Sequence, residues 1–202
     1  FAHVDDIEEL IKGIKTLLKE DGVFIIEVPY LVDFIQKNLF DTIYHEHLSY
    51  FSLKPLSIFF ENQGMKIFDV QRVASHGGSI RVFIKKSQAK HKVEPIVKKL
   101  LQEEQALGMY KEETFKKFAD KTRVNKTTLV KLLNRLKLKG KVVVGYGAPA
   151  KGNTLLNYFG IAKDILDFIV DDSLEKQGLY TPGTHIPIVS SEALKEKRPD
   201  YI

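Results

Sequence analysis

The sequence predicts an α/β protein in which a helical segment connects two α/β units. Apolar runs with the character of strands alternate with helical stretches through residues 1–90, and again through 140–202. Residues 91–139 are instead rich in Lys, Glu and Leu, with a helical pattern that breaks near Gly108. We therefore expect three parts with these boundaries, of which the first and third each have a sheet.

The first unit begins with a predicted helix that Asp5 and Asp6 open and that ends at Asp21-Gly22. The run 23–30 is nearly continuously apolar, which predicts a strand covered on both faces, and Pro29 stops its ladder of hydrogen bonds. The same patterns predict the remaining elements of the unit: a helix over 54–63, strands over 65–73 and 79–86, and a glycine turn over 74–78.

The third part repeats the alternation of strand and helix over a shorter length. A strand begins at Lys141, and a glycine turn and a helix over 150–159 follow it. A second strand is expected over 165–170, then a loop rich in Gly and Pro, and a final helix over 191–197. About 60 residues are too few for the two halves of a complete dinucleotide-binding fold.

Composition narrows the class of protein. The 202 residues are 44% hydrophobic and 28% charged, with a net charge of +5 that comes largely from lysines on helical stretches. Because aromatic residues are not interleaved with these lysines, we favour a solvated helix face over nucleic-acid binding. No apolar run is long enough to span a membrane. The absence of cysteine excludes disulfides and thiolate metal ligands here, and it fits a cytoplasmic protein.

The glycine motif after the strand at 141 is the first pattern with potential chemistry. Gly145, Gly147 and Ala150 have the G-x-G-x-x-(G/A) spacing at the start of a helix, where free N–H groups can bind phosphate. Asp171 and Asp172 follow the next strand, at the place of a ribose-binding acid. Taken alone, the motif indicates an NAD(P)-dependent oxidoreductase. A turn that needs small residues only for packing is the alternative.

The second pattern is the polar cluster at 41–50, in which Tyr44, His45, Glu46 and His47 are consecutive. Three interpretations remain open. A zinc site could use both histidines, although residues two apart converge on one metal only in extended backbone and no HExxH pattern is present. The cluster could be structural, with packed tyrosines and hydrogen-bonded histidines. General acid–base catalysis, with a histidine as the base, is the interpretation we favour.

Several runs of sequence resemble a known family. They are Tyr44–Phe51, Gly64–Val70, His76–Arg81 and Gly145–Gly152, followed by 170–173, 176–178 and 182–187. In this order they closely resemble the sugar C-methyltransferases, which use S-adenosylmethionine to methylate C3 of a nucleotide-linked 4-keto-deoxysugar. The resemblance covers almost the whole chain.

The resemblance implies a zinc-binding N-terminal domain, a central S-adenosylmethionine-binding domain and a Rossmann-like C-terminal domain, with the nucleotide-sugar between the last two. Strands 23–30, 65–73 and 79–86 would be the last three of a class I methyltransferase sheet. The cysteine cluster of the zinc domain and the glycine-rich loop of the methyl-donor site do not occur here. We therefore expect a fragment, inactive alone, whose S-adenosylmethionine site lies mostly outside it, with no metal of its own and an exposed sheet edge that favours a homo-oligomer.

The family's motifs also imply roles for individual residues. His47 is the candidate base, and Tyr44, Glu46 and His45 are candidates to orient groups or to stabilise the enolate. His76 and Arg81 are expected to border the same pocket. The candidate nucleotide-sugar contacts in the last unit are Gly145, Tyr146, Gly147, Lys151 and Tyr180. A non-catalytic nucleotide-sugar-binding module and the oxidoreductase remain the alternatives.

Overall fold

The computed structural model describes residues 1–202 and has two compact units. The first comprises Phe1–Leu39 and His45–Ala119, and the second comprises Phe40–Tyr44 and Asp120–Ile202. Each unit has helices and one three-stranded sheet, which confirms the α/β class. No helix combines the length and the apolar character needed to cross a membrane.

The first unit has an antiparallel sheet with helices packed on it. Its elements are α1 (Ile7–Leu17), β1 (Val23–Pro29), α2 (Leu31–Lys37), α3 (Leu53–Asn62), β2 (Met65–Val73), β3 (Ser79–Lys86), α4 (Pro95–Ala106) and the beginning of α5 (Glu112–Leu138). The strand order is β1-β3-β2, so β3 is central and β1 is an edge strand. In this register Glu27 of β1 lies opposite Arg81 of β3.

The prediction that both faces of β1 are covered is wrong. Ile26 and Val28 are buried, whereas Ile25 is 50% exposed and Glu27 is also exposed. Successive side chains of a strand point to opposite faces, so only one face of β1 belongs to the core. The apolar side chain of Ile25 hides this alternation in the sequence.

The helices of the first unit agree in part with the sequence pattern. Asp6 caps α1, as its carboxylate accepts a hydrogen bond from the Glu9 N–H at 2.8 Å. This helix ends at Leu17, earlier than the predicted Asp21-Gly22. Helix α2 has no counterpart among the predicted elements. The segment 91–139 is helical as predicted and contains α4 and α5, separated by a turn at Gly108.

A buried carboxylate holds α3 and α4 together. Glu104 on α4 has no exposed surface, and its oxygens accept hydrogen bonds from the backbone N–H groups of Leu53 at 2.5 Å and Lys54 at 3.1 Å. These N–H groups belong to the first turn of α3, which has no side-chain cap of its own. The hydroxyls of Tyr30 and Tyr110 donate to the same carboxylate. Although Glu104 belongs to another helix, its carboxylate therefore caps the N-terminal end of α3.

The second unit contains the rest of α5 and a parallel sheet of three very short strands. Its further elements are β4 (Gly145–Tyr146), α6 (Ala150–Phe159), β5 (Ile169–Val170), β6 (Ile188–Val189) and α7 (Glu192–Lys197). The order is β4-β5-β6. The strand predicted over 165–170 is confirmed only at its last two residues, because the Leu166 N–H turns back to the Ala162 carbonyl. Strand β6 lies in the segment that was expected to be a loop.

Candidate functional site

A cavity of about 190 Å³ lies in the first unit, where β1 ends and β3 begins. Its lining combines apolar groups with three imidazoles and one carboxylate. The lining residues are Phe1, Ala2, His3, Glu27, Val28, Pro29, His47, His76 and Ser79. Imidazoles and a carboxylate are the groups that most often move protons at neutral pH.

Two backbone contacts place His47 in this cavity. The N–H of Leu48 donates to the carbonyl of Ala2 at 3.1 Å, and the N–H of Leu31 donates to the carbonyl of Phe51 at 2.8 Å. The segment between them is therefore fixed against the N-terminal residues and the end of β1. The half-buried His47 ring meets the His3 ring edge to face, with ring centres 5.0 Å apart.

Glu27 is the carboxylate of the cavity. One of its oxygens accepts the Ser75 hydroxyl at 2.7 Å, and the other accepts Nε and Nη2 of Arg81 at 3.1 and 2.8 Å. The hydrogen bond from Ser75 and those from Arg81 hold the pKa of the Glu27 carboxyl below its ordinary value. Glu27 is therefore a fixed negative charge at neutral pH.

The predicted residues of the polar cluster separate in the structure. His47 and His76 line the same cavity, whereas His45 and Glu46 are exposed at a turn and do not line it. Tyr44 belongs to the second unit. Arg81 does not line the cavity either, because its guanidinium group is bonded to Glu27. No three His, Asp or Glu side chains are grouped so that they could hold a metal ion.

Three polar residues that line the cavity were missed by the sequence interpretation. His3 stands in an irregular segment with no motif around it. Ser79 lies within the run His76–Arg81, but only His76 and Arg81 of that run are candidate site residues. Glu27, however, is the single charged residue in the apolar run 23–29, and an isolated charge in a strand is a signal that could have been used.

The glycines of the motif in the second unit have structural explanations. Gly147 has φ +87°, a conformation that favours glycine. A Cβ on Gly145 would come within 2.9 Å of Ile169 on the neighbouring strand, so β4 and β5 pack closely only with glycine there. Both observations fit the packing alternative for this motif.

Asp171, expected at the position of a ribose-binding acid, stabilises the glycine turn. It is only 9% exposed, and its carboxylate accepts the N–H groups of Ala148 at 2.7 Å and Ser173 at 2.9 Å, with Lys176 3.3 Å away. The two backbone hydrogen bonds, and then Lys176, lower the pKa of the Asp171 carboxyl. The Ala148 N–H, which a phosphate bound at this turn would need as a donor, is thus already bonded to Asp171.

We predict that Asp171→Ala lowers the free energy of unfolding by about 1–3 kcal/mol, because two N–H groups lose their acceptor. The stabilisation should be present above about pH 4 and should disappear as the pH falls through the lowered pKa, since the unfolded chain then binds the proton first. Urea unfolding between pH 2 and pH 7 measures both effects. The exposed Asp172, which accepts only the Tyr146 hydroxyl at 3.0 Å, is the control, and its Ala variant should change stability by less than about 0.5 kcal/mol. Equal effects of the two variants would contradict the prediction.

The other candidate contacts of the second unit lie on its surface. Tyr146 and Tyr180 are 60% and 62% exposed. The Tyr146 hydroxyl donates to Asp172, which raises the pKa of that phenol. Lys151 lies in the first turn of α6 and is half-buried. Their roles in nucleotide-sugar binding stay predictions.

Comparisons with known proteins identify the family. Residues 74–202 match the model of the C-methyltransferase C-terminal domain. The chain is also similar to C-methyltransferase NovU from Streptomyces niveus, with 44% identity over 201 residues. That match covers 100% of this chain and 48% of the relative, so the chain spans about half the length of the curated protein that it matches. The glycine motif lies within the matched domain, which removes the ground for the oxidoreductase alternative. The chain belongs to the C-methyltransferase family, and residues 74–202 are its C-terminal domain.

Proposed function

We propose that this chain takes part in C-methylation of a nucleotide-linked 4-keto-deoxysugar, and that it supplies the base for the reaction. His47 removes the proton from C3, the carbon next to the ketone. The electrons of the C–H bond form the C=C bond of an enolate, and the carbonyl π electrons move to the oxygen. Hydrogen-bond donors beside that oxygen lower the barrier.

The observation that carries the proposal is the position of His47 in a cavity with two further imidazoles. A neutral imidazole has one nitrogen that accepts a proton and one that donates a hydrogen bond. His47, His3 and His76 can therefore provide both the base and donors for the enolate oxygen within one small space.

The methyl donor that the family implies is S-adenosylmethionine, which supplies an electrophilic methyl group when bound. A cavity of about 190 Å³ is smaller than the roughly 300–1,000 Å³ of pockets that enclose small-molecule ligands. The residues around it therefore do not form a complete site for S-adenosylmethionine. What they fit is the ketone-bearing part of a sugar, and we propose proton abstraction as the contribution of this unit.

Deuterium exchange tests the proposal without the methyl donor. The chain is mixed with a thymidine-diphosphate-linked 4-keto-deoxysugar in D₂O, and proton NMR follows the C3 proton. We expect this signal to disappear faster than in buffer alone, because a reversible base returns deuterium from the solvent.

Calorimetry with the same sugar and with NADH accompanies the assay. Binding of the sugar without exchange would indicate a binding module, and binding of NADH alone would indicate an oxidoreductase. Either result would overturn the proposal.

A further inference from the structure

The turn between β2 and β3 has an unusual backbone. His76, Gly77 and Gly78 have φ values of +53°, +85° and +136° in succession. Glycine adopts such values readily, but a histidine does so rarely, and a strained residue persists only where its surroundings fix it. His76 is also the residue of this turn that lines the cavity.

One side of the turn is fixed by Glu27. Its carboxylate accepts the Ser75 hydroxyl and is itself held by Arg81, the residue opposite it on β3. The Ser75 carbonyl in turn accepts the Ser79 hydroxyl at 3.0 Å and the Gly78 N–H at 2.9 Å. These bonds connect the start of the turn to both strands beside the cavity.

The other end of the turn is fixed by Asp33 on α2, which is only 6% exposed. Its two oxygens pair with Arg72 at 2.5 Å and with Lys37 at 3.2 Å. The ammonium group of Lys37 also donates to the Gly77 carbonyl. The carboxyl group of Asp33 packs so closely against Gly78 that a Cβ at this position would overlap it.

We propose that Asp33 and Glu27 are positioning residues that clamp this turn from two sides and hold the His76 imidazole in the cavity, where it orients the sugar for proton abstraction. This inference rests on the proposed function for what His76 does, but the clamp itself can be measured without a substrate. Neither carboxylate belongs to the motifs that the sequence singled out. Asp33 affects the rate of the reaction only by holding His76 in position.

The substrate-free measurement is amide hydrogen exchange by NMR. The Gly78 N–H is bonded to Ser75, and the Tyr30 N–H is bonded to the Gly78 carbonyl at 3.0 Å, so both report whether the turn stays closed. We expect both amides to exchange about tenfold faster in Asp33→Asn than in the unchanged chain. Asp120→Asn makes the same substitution at an exposed ion pair with Arg123 on α5, so it serves as a control and should change neither amide. Unchanged exchange in Asp33→Asn would overturn the clamp.

The kinetic test uses a double-mutant cycle on the deuterium exchange of the keto-sugar. His76→Asn keeps a residue that tolerates positive φ but removes the ring. We expect it to reduce the rate at saturating sugar by about 10²-fold, and Asp33→Asn to reduce it about tenfold. The double variant should match His76→Asn within about twofold, because Asp33 has nothing left to position. Multiplied effects would mean that Asp33 acts by another route and would overturn the inference.

A second variant keeps the test decisive if Asp33→Asn does not fold. Glu27→Gln removes the charge that holds Ser75 and Arg81 on the exposed face of the sheet, and it should give the same non-additivity with His76→Asn. An additive result there would overturn the inference as well. Failure of the proposed function can be told apart from failure of the clamp. If only the proposed function is wrong, the unchanged chain catalyses no deuterium exchange of the sugar, but the amide measurements still show the clamp.

Discussion

His47→Asn is expected to reduce the rate of C3 deuterium exchange by about 10²–10⁴-fold, the usual contribution of a positioned general base. Asparagine is similar in size and can donate a hydrogen bond, but it has no basic nitrogen. The backbone contacts from Leu48 to Ala2 and from Leu31 to Phe51 do not involve the ring, so the segment should keep its place. Proton NMR in D₂O at saturating sugar gives the rate directly.

His91→Asn is the matched control for this variant. The His91 ring stacks on Phe68 at 4.9 Å and bonds to the Asp21 carbonyl at 2.9 Å, and it does not line the cavity. Its rate should stay within about twofold of the unchanged chain, because no group near the reaction is altered. Calorimetry should show that His47→Asn still binds the sugar. A His47→Asn rate above half the original would show that another group is the base.

Glu104→Ala is expected to lower the free energy of unfolding by about 3–5 kcal/mol, since it leaves the buried Tyr30 hydroxyl, the partly buried Tyr110 hydroxyl and two helix N–H groups without this acceptor. Burial and Glu104 itself raise the pKa values of Tyr30 and Tyr110 above the ordinary value for tyrosine, so both phenols keep their protons and donate. Helix α3 also loses its cap. Urea unfolding followed by circular dichroism measures the change.

The neighbouring Glu103 provides the control for this prediction. Its side chain is 43% exposed and lies 3.9 Å from Lys99, so Glu103→Ala should change stability by less than about 0.5 kcal/mol. Glu104→Gln keeps the shape and one acceptor oxygen and should lose about 1–3 kcal/mol. A loss below about 1 kcal/mol for Glu104→Ala would mean that the network contributes little to stability.

Local sequence patterns predict the helices and strands whose defining residues all lie close together in the sequence. The capping Asp6, the helix at 150–159 and the strands 65–73 and 79–86 are of this kind, and the structure has all of them. Burial depends on partners that are distant in sequence. Glu104 has the same local surroundings as Glu103, and only the packing of α4 against α3 makes one buried and leaves the other half-exposed.

Some residues of the candidate site can likewise be predicted from local sequence, and others depend on long-range contacts. His47 and His76 stand in recognisable motifs, and the structure brings both to one cavity. His3 and Glu27 join them through the contact between Ala2 and Leu48 and through the pairing of β1 with β3. A strand register is a long-range property, so no window of sequence around Glu27 reveals that Arg81 lies opposite it.

The left-handed run from His76 to Gly78 also limits how this protein can be re-engineered. Surface loops usually accept insertions and exchanges, and libraries for new substrates are commonly built there. Here most substitutions at Gly77 and Gly78 would strain the backbone, and a longer turn would release Ser75 from Glu27. Variation aimed at other substrates belongs at Val28, which lines the cavity from a regular strand and takes no part in the hydrogen bonds that fix the turn.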